Sequence, residues 1–293
     1  LRQPWDRTTL AILSAAATGI QVGAAITATR FAVDQIGPAS LAFLRYAIGA
    51  ACLAPVFFSG RMRFARADIL PIALLGIGQF GVLIALLNFG LKSVPSARAA
   101  LIFASFPMLT LLFAAAVGQE RLTPEKVFGV MLTILGVGFA LGDRTFGEAS
   151  WAGELAVLAA AATGAVCSVL YRPYLRRYPT LPVSAFAMLA AVLALAVPAA
   201  LDDLFIAVPN LNAAGWAAVV FIGLSSGGGY VLWLWALANT SATRVTVFLS
   251  LSPITAAALG AVLLAEPVSP TMIAGCGCIA AGLWLATRTS DTG

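Results

Sequence analysis

The sequence predicts an all-helical integral membrane protein whose ten transmembrane helices form two inverted five-helix repeats. Three observations carry that prediction. Of 293 residues, 61% are hydrophobic and only 10% are charged, against roughly 25% charged residues in a soluble domain. The apolar residues fall into ten runs: 8–29, 40–58, 69–91, 95–117, 124–142, 151–172, 183–201, 213–237, 241–264 and 269–287. The second half also repeats the first. Adding 146 carries Arg98 to Arg244, Pro107 to Pro253, Glu120 to Glu266, Pro124 to Pro270, Gly129 to Gly275 and Gly136 to Gly282 without a gap.

A helix needs about 20 apolar residues to cross a bilayer, and hydrocarbon requires every backbone amide to be bonded within its own segment. Ten such runs leave no room for a soluble domain. Five runs fall in 1–147 and five in 148–293. Because five is odd, the second copy starts from the opposite side of the membrane, and equivalent helices run in opposite directions.

Taken in order, the first run lies behind Arg2 and Arg7 and has the look of a signal peptide. Its AAATG at Ala15 to Gly19 returns at Ala160 to Gly164, which assigns it to the repeat as a retained span. It carries Gly19 and Gly23 as a GxxxG pair, with Gln21 between them. The second run encloses Arg45 among apolar residues, and the third crowds Gly76, Gly78 and Gly81 around Gln79. Pro107 and Pro253 each stand twelve residues beyond the start of the fourth and ninth runs. Each removes one helical hydrogen bond, so both spans should bend near the midplane, as a fixed bend or a hinge. Runs five and ten each open on Thr-Pro or Ser-Pro. The eighth holds Gly227, Gly228 and Gly229 in succession. That triplet fits close helix packing. It also fits local unwinding beside a cavity, since each glycine forfeits roughly 1 kcal/mol of helix propensity.

Several chemistries are disfavoured. The string from Gly76 to Gly81 spells GxGxxG, but it lies mid-span instead of between a strand and a helix, so it is no dinucleotide fingerprint. The run Ser225 to Gly229 lacks the lysine of a phosphate loop. Cys52, Cys167, Cys276 and Cys278 all lie in apolar runs, there is no histidine, and a Cys-Gly-Cys spacing on a helix turns its thiols to different faces. No metal or cofactor is expected. The basic residues sit in short loops instead of a patch, which argues for membrane orientation over nucleic acid. With the N-terminus in the cytoplasm, twelve loop arginines and lysines fall inside and five outside, so both termini are expected to be cytoplasmic.

All twelve acidic residues sit in loops or near span ends, with Glu120, Glu154 and Glu266 nearest the hydrocarbon. This weighs against intramembrane catalysis, which needs ionisable groups facing a cavity. The candidate interior residues are instead neutral: Gln21, Gln79, Phe103, Phe106, Ser168, Ser225, Tyr230 and Ser250. Gln79 and Ser225 are partners under the 146 shift, which sets polar groups at matching depth in both copies. Trp233 and Trp235 are expected at a membrane face, as part of an aromatic belt. For Arg45, Arg98 and Arg244 the readings are snorkelling to the interface, capping of a neighbouring helix, or contact with a substrate carboxylate.

The pattern from Pro107 through Gln119, Glu120, Pro124, Gly129 and Gly136, echoed from Pro253 through Glu266, Pro270, Gly275 and Gly282, closely resembles the EamA repeat of the drug/metabolite transporter superfamily. The stretch from Phe43 through Arg45 to Ala50 resembles that family's second span, although span seven has no equivalent arginine. Within the superfamily the chain looks most like bacterial amino-acid exporters of the YddG type. The resemblance implies ten helices, cytoplasmic termini in the inner membrane, and a central cavity exporting neutral amino acids, aromatic ones among them, by alternating access. An interior of amides, hydroxyls and rings without fixed charge agrees, because a phosphorylated sugar calls for clustered cations. The expected partners are a small-molecule substrate and the bilayer, with no nucleic acid, in a monomer or loose dimer. The alternatives are a carrier of another metabolite or of a drug, an integral-membrane enzyme, or a channel.

Overall fold

The computed structural model describes residues 7–58, 64–142, 150–202, 204–241, 244–245 and 248–288. Of the loop charges used for orientation, Arg2, Arg61, Arg63 and Arg144 lie outside the described residues, as does Asp203. The described chain is helical throughout. Its principal helices are α1 (Arg7–Ala32), α2 (Pro38–Cys52), α3 (Arg66–Leu91), α4 (Ser96–Ala116), α5 (Pro124–Gly142), α6 (Trp151–Arg177), α7 (Thr180–Leu201), α8 (Ala213–Asn239), α9 (Leu251–Leu264) and α10 (Pro270–Arg288). Each of α1, α3, α4, α6, α7 and α8 is long and apolar enough to cross a membrane.

Local chemistry sets the helix ends. The Thr-Pro and Ser-Pro pairs are caps: Thr123 Oγ1 accepts from Lys126 N at 3.4 Å, and Ser269 Oγ accepts from Met272 N at 3.1 Å. Each following proline takes the first helical position, where its missing N–H costs nothing. Asn212 caps α8 by accepting from Gly215 N at 2.7 Å. Two caps are borrowed from distant segments. Asp202 Oδ2 accepts from Ala39 N at 2.7 Å and Ser40 N at 3.2 Å at the start of α2, and Glu266 Oε1 accepts from Ser96 N at 3.0 Å at the start of α4.

The prolines interrupt their spans. In α4 the helix stops at Phe103 and resumes at Phe106, just before Pro107. α9 begins at Leu251, directly after a 3-10 turn at Phe248–Ser250 and two residues before Pro253. The second apolar run also breaks: α2 ends at Cys52 and a short helix, Ala54–Phe58, follows. Pro55 there lacks the amide that would continue the ladder.

The packing repeats on exchange of the two halves. α1 lies against α8 and α9, while its counterpart α6 lies against α3 and α4. α2 packs on α8 and α7 on α3; α2 meets α7, α4 meets α9 and α5 meets α10. The α5–α10 contact is the clearest. A Cβ on Gly136 would stand 2.8 Å from Gly275 O, and one on Gly282 would stand 2.7 Å from Gly129 O. These helices therefore run antiparallel, and the 146 shift turns one close approach into the other. Lipid supplies no hydrophobic force between helices, so small residues that let backbones meet hold such pairs together. Large apolar side chains such as Leu70, Phe128, Leu193 and Val262 are exposed, while Gln79, Ser168, Ser226, Ser252 and Arg45 are buried.

Candidate functional site

The middles of α1, α2, α3 and α8, the break in α4 and the turn before α9 surround a cavity of about 90 Å³. At ~10–15 Å³ per water position, this is room for a small solute. Thr18, Gln21 and Ile26 line it from α1, Arg45 and Tyr46 from α2, and Gln79, Phe80 and Leu87 from α3. Phe103 and Phe106 reach it from either side of the α4 break; Ser226, Gly229, Tyr230 and Trp233 from α8; and Leu249 from the turn before α9.

Backbone irregularities aim these groups. In α3, Ile77–Val82 forms a π-helical segment, and Gln79 and Phe80 sit on it. The extra residue in a π-turn shifts side chains around the helix, and such bulges occur frequently at functional sites. The broken α4 places Phe103 and Phe106 on one wall, ring centroids 5.5 Å apart. Phe106 then meets Trp233 edge-on at 6.1 Å. A second chain of rings runs from Tyr46 to Phe80 at 4.8 Å and from Phe80 to Tyr230 at 4.1 Å. Gln21 Nε2 donates to Ser225 Oγ at 3.2 Å. Gly229 leaves space for that amide, since a Cβ there would stand 2.5 Å from Gln21 Oε1.

Arg45 corrects the expectation of an uncharged interior. Its side chain neither snorkels nor caps a helix. It lies 7% exposed on the cavity wall, donates from Nε to Ser226 Oγ at 2.6 Å and stands 5.6 Å from the Tyr46 ring. Among the described residues no carboxylate lies in salt-bridge reach of it. No described carboxylate lines the cavity either. Glu154, the acid nearest the hydrocarbon on span six, is buried in an ion pair with Arg98. Asp68 accepts from Arg177 Nη1 at 2.6 Å and Tyr178 Oη at 2.5 Å, tying the start of α3 to the end of α6.

Of the residues singled out from sequence, Gln21, Gln79, Phe103, Phe106 and Tyr230 share the wall. Ser225 stands behind it, bonded to Gln21. Ser168 is fully buried on α6 and is not part of the wall. The side chain of Ser250 lies outside the described residues. The unwinding reading of Gly227, Gly228 and Gly229 is not met, because α8 runs unbroken through them. Gly227 instead packs on Gly49, where a Cβ would come within 3.2 Å of backbone. The distorted helix is its repeat counterpart α3, which has its own glycines. Trp233 is a second correction. It is buried against the cavity, not in an interfacial belt. Ser226, expected near the midplane beside Ser225, lies on the wall; Tyr46 and Phe80 were not singled out, and the adjacent Arg45 and Gln79 were the only signal for them.

Among the described residues no group of three or more cysteine, aspartate or glutamate side chains could hold a metal. The model of the EamA-like transporter family matches residues 9–142 and again residues 151–288. The chain is similar to a Streptantibioticus cattleyicolor protein described as a probable terminal-alkyne amino-acid exporter, 32% identical over 92% of this chain and 91% of that one. It is also similar to the aromatic amino acid exporter YddG of Ancylobacter novellus, 34% identical over 47% of this chain and 48% of that one. A crystal structure of 25% sequence identity superimposes with a TM-score of 0.71, covering 96% of this chain and 99% of the other.

Proposed function

This chain belongs to the EamA-like transporter family, and on that premise we propose that it exports neutral amino acids from the cytoplasm by alternating access. One observation carries the reading: a cavity deep in the bundle, lined from both halves, that combines aromatic rings, two primary amides and one guanidinium. A zwitterion with an apolar side chain uses all three. Its carboxylate meets the cation, its ammonium meets amide oxygens and ring faces, and its side chain meets the rings. A phosphorylated sugar would need more positive charge than the single wall arginine supplies. The relatives described as amino-acid exporters support the same substrate class.

In this account 1–147 and 148–293 are inverted copies, an arrangement supported by the antiparallel glycine contacts of α5 and α10. Substrate sits near the midplane where the copies meet, as is general for carriers built on inverted repeats. The Asp68–Arg177–Tyr178 cluster ties one end of the bundle. The Arg98–Glu154 pair and the Ser96–Glu266 cap tie the other. Alternating access requires these ties to hold in turn. The positive-inside bias of the loops supports cytoplasmic termini in the inner membrane. With no described carboxylate on the wall, efflux down the substrate gradient is favoured over coupling through a membrane acid.

The experiment is counterflow in proteoliposomes, with radiolabelled neutral amino acids screened against sugar phosphates and drug cations. Saturable exchange of neutral amino acids is the expected result. Movement of phosphorylated metabolites with amino acids ignored would overturn the proposal, and flux that never saturates would indicate a channel.

A further inference from the structure

We propose that Arg45 is the carboxylate anchor of this cavity, so that the carrier selects solutes with one free carboxylate and rejects the corresponding amides and amines. The inference rests on the amino-acid reading above and deepens it. An arginine midway along a membrane helix is costly to insert and is retained where it has a partner or a function. Arg45 is buried at the cavity wall, and among the described residues it has no acidic partner. Its Nε is held by Ser226 Oγ at 2.6 Å, which fixes the plane of the guanidinium from the opposite half of the chain. The two terminal nitrogens make no hydrogen bond to any described residue. A held plane with two open, charged donors is the fork that takes a carboxylate in bidentate fashion.

The same wall offers the complement. Gln79 Oε1 is buried without a hydrogen-bond partner, an acceptor suited to an ammonium group, and Phe80 and Tyr230 add ring faces to the same wall. The anchor is single. The repeat equivalent of Arg45 is Ala191, also buried, so a second carboxylate would find no matching fork. The selected class is therefore the monocarboxylate amino acid, held by its backbone groups while the rings meet the side chain.

The test needs no mutation to begin. In counterflow of radiolabelled L-leucine through the wild-type protein, unlabelled L-leucine should compete at least about tenfold better than L-leucinamide or isoamylamine, the factor expected from losing a charge-assisted hydrogen-bond pair. Arg45→Gln should abolish that preference, and Arg45→Lys should restore part of it without the bidentate geometry. Equal competition by the amide in the wild type, or full discrimination retained by Arg45→Gln, would overturn the anchor. A thermal-shift series with L-leucine, L-leucinamide and 4-methylvalerate separates the two claims and reports whether the variants are folded. Stabilisation by the carboxylates in the wild type but not in Arg45→Gln, with no amino-acid flux in liposomes, removes the amino-acid reading and keeps the anchor. Indifference to both carboxylates removes the anchor.

Discussion

Replacing Gly136 or Gly282 with leucine drives a Cβ into the backbone of the opposing helix. At Gly136 it would stand 2.8 Å from Gly275 O and 2.8 Å from the Ile279 side chain; at Gly282, 2.7 Å from Gly129 O. Ordinary Cβ contacts fall at 3.4–4 Å, and a carbonyl on a helix cannot swing aside, so α5 and α10 must separate by several tenths of an ångström. Overpacking of this kind costs about 1–3 kcal/mol. Gly138 and Gly277 lie on the same two helices with nothing within 4 Å of a Cβ, so leucine there should gain up to about 1 kcal/mol of helix propensity. The propensity gain is common to both classes, so they should differ by about 1–3 kcal/mol, the cost of the clash alone. Thermal unfolding of purified protein in detergent should place Gly136→Leu and Gly282→Leu well below wild type and close to each other. Gly138→Leu and Gly277→Leu should lie at or above it. If all four behave alike, or if only one member of the clashing pair is harmed, the symmetric glycine contact does not hold this pair.

Glu154→Gln removes the carboxylate of the buried Arg98–Glu154 ion pair and should cost about 3–5 kcal/mol; the double change Glu154→Met with Arg98→Met should cost less than Glu154→Gln, as read by melting temperature. Asp202→Ala removes the acceptor that caps α2 and should cost about 1 kcal/mol. Gly37→Ala collides with the Asp202 carboxylate and should be harmful in the wild type but tolerated beside Asp202→Ala, a coupling visible in a double-mutant cycle. Gln79→Leu should cut counterflow by about tenfold, the value of one hydrogen bond to a charged group, at unchanged protein levels; unchanged counterflow would remove that amide from the site.

The fold was legible because its strongest signals are linear. Apolar runs of bilayer length stand out by composition, and the residues kept in both copies are those with special backbone roles: prolines beside the break in α4 and the turn that precedes α9, Thr-Pro and Ser-Pro caps, and glycines at the α5–α10 contact. The site was legible in depth but not in azimuth. Counting along a span put Gln21, Gln79, Phe103 and Phe106 near the midplane, where they line the cavity. Counting cannot tell which way a side chain turns, and one helical step of about 100° separates Ser225, behind the wall, from Ser226 on it. Trp233 was misread for the same reason. Its depth suits a belt, but its face of α8 turns inward against Phe106. The π-segment in α3 had no distinct signature, since its three glycines resemble those of α8, which stays regular because Gly227 is needed against Gly49. Arg45 was visible as a charge inside an apolar run; its direction depended on Ser226, a partner 181 residues away.

In the proposed mechanism the carried solute sits in the cavity bounded by Gln79, Arg45 and Trp233. Cysteine protection reads this occupancy: Gln79→Cys in a protein whose four native cysteines have been replaced, treated with a small methanethiosulfonate reagent with and without saturating neutral amino acid. Modification should stop counterflow, and the amino acid should slow modification in proportion to its occupancy. Full transport after modification, or a modification rate indifferent to any transported solute, would contradict it.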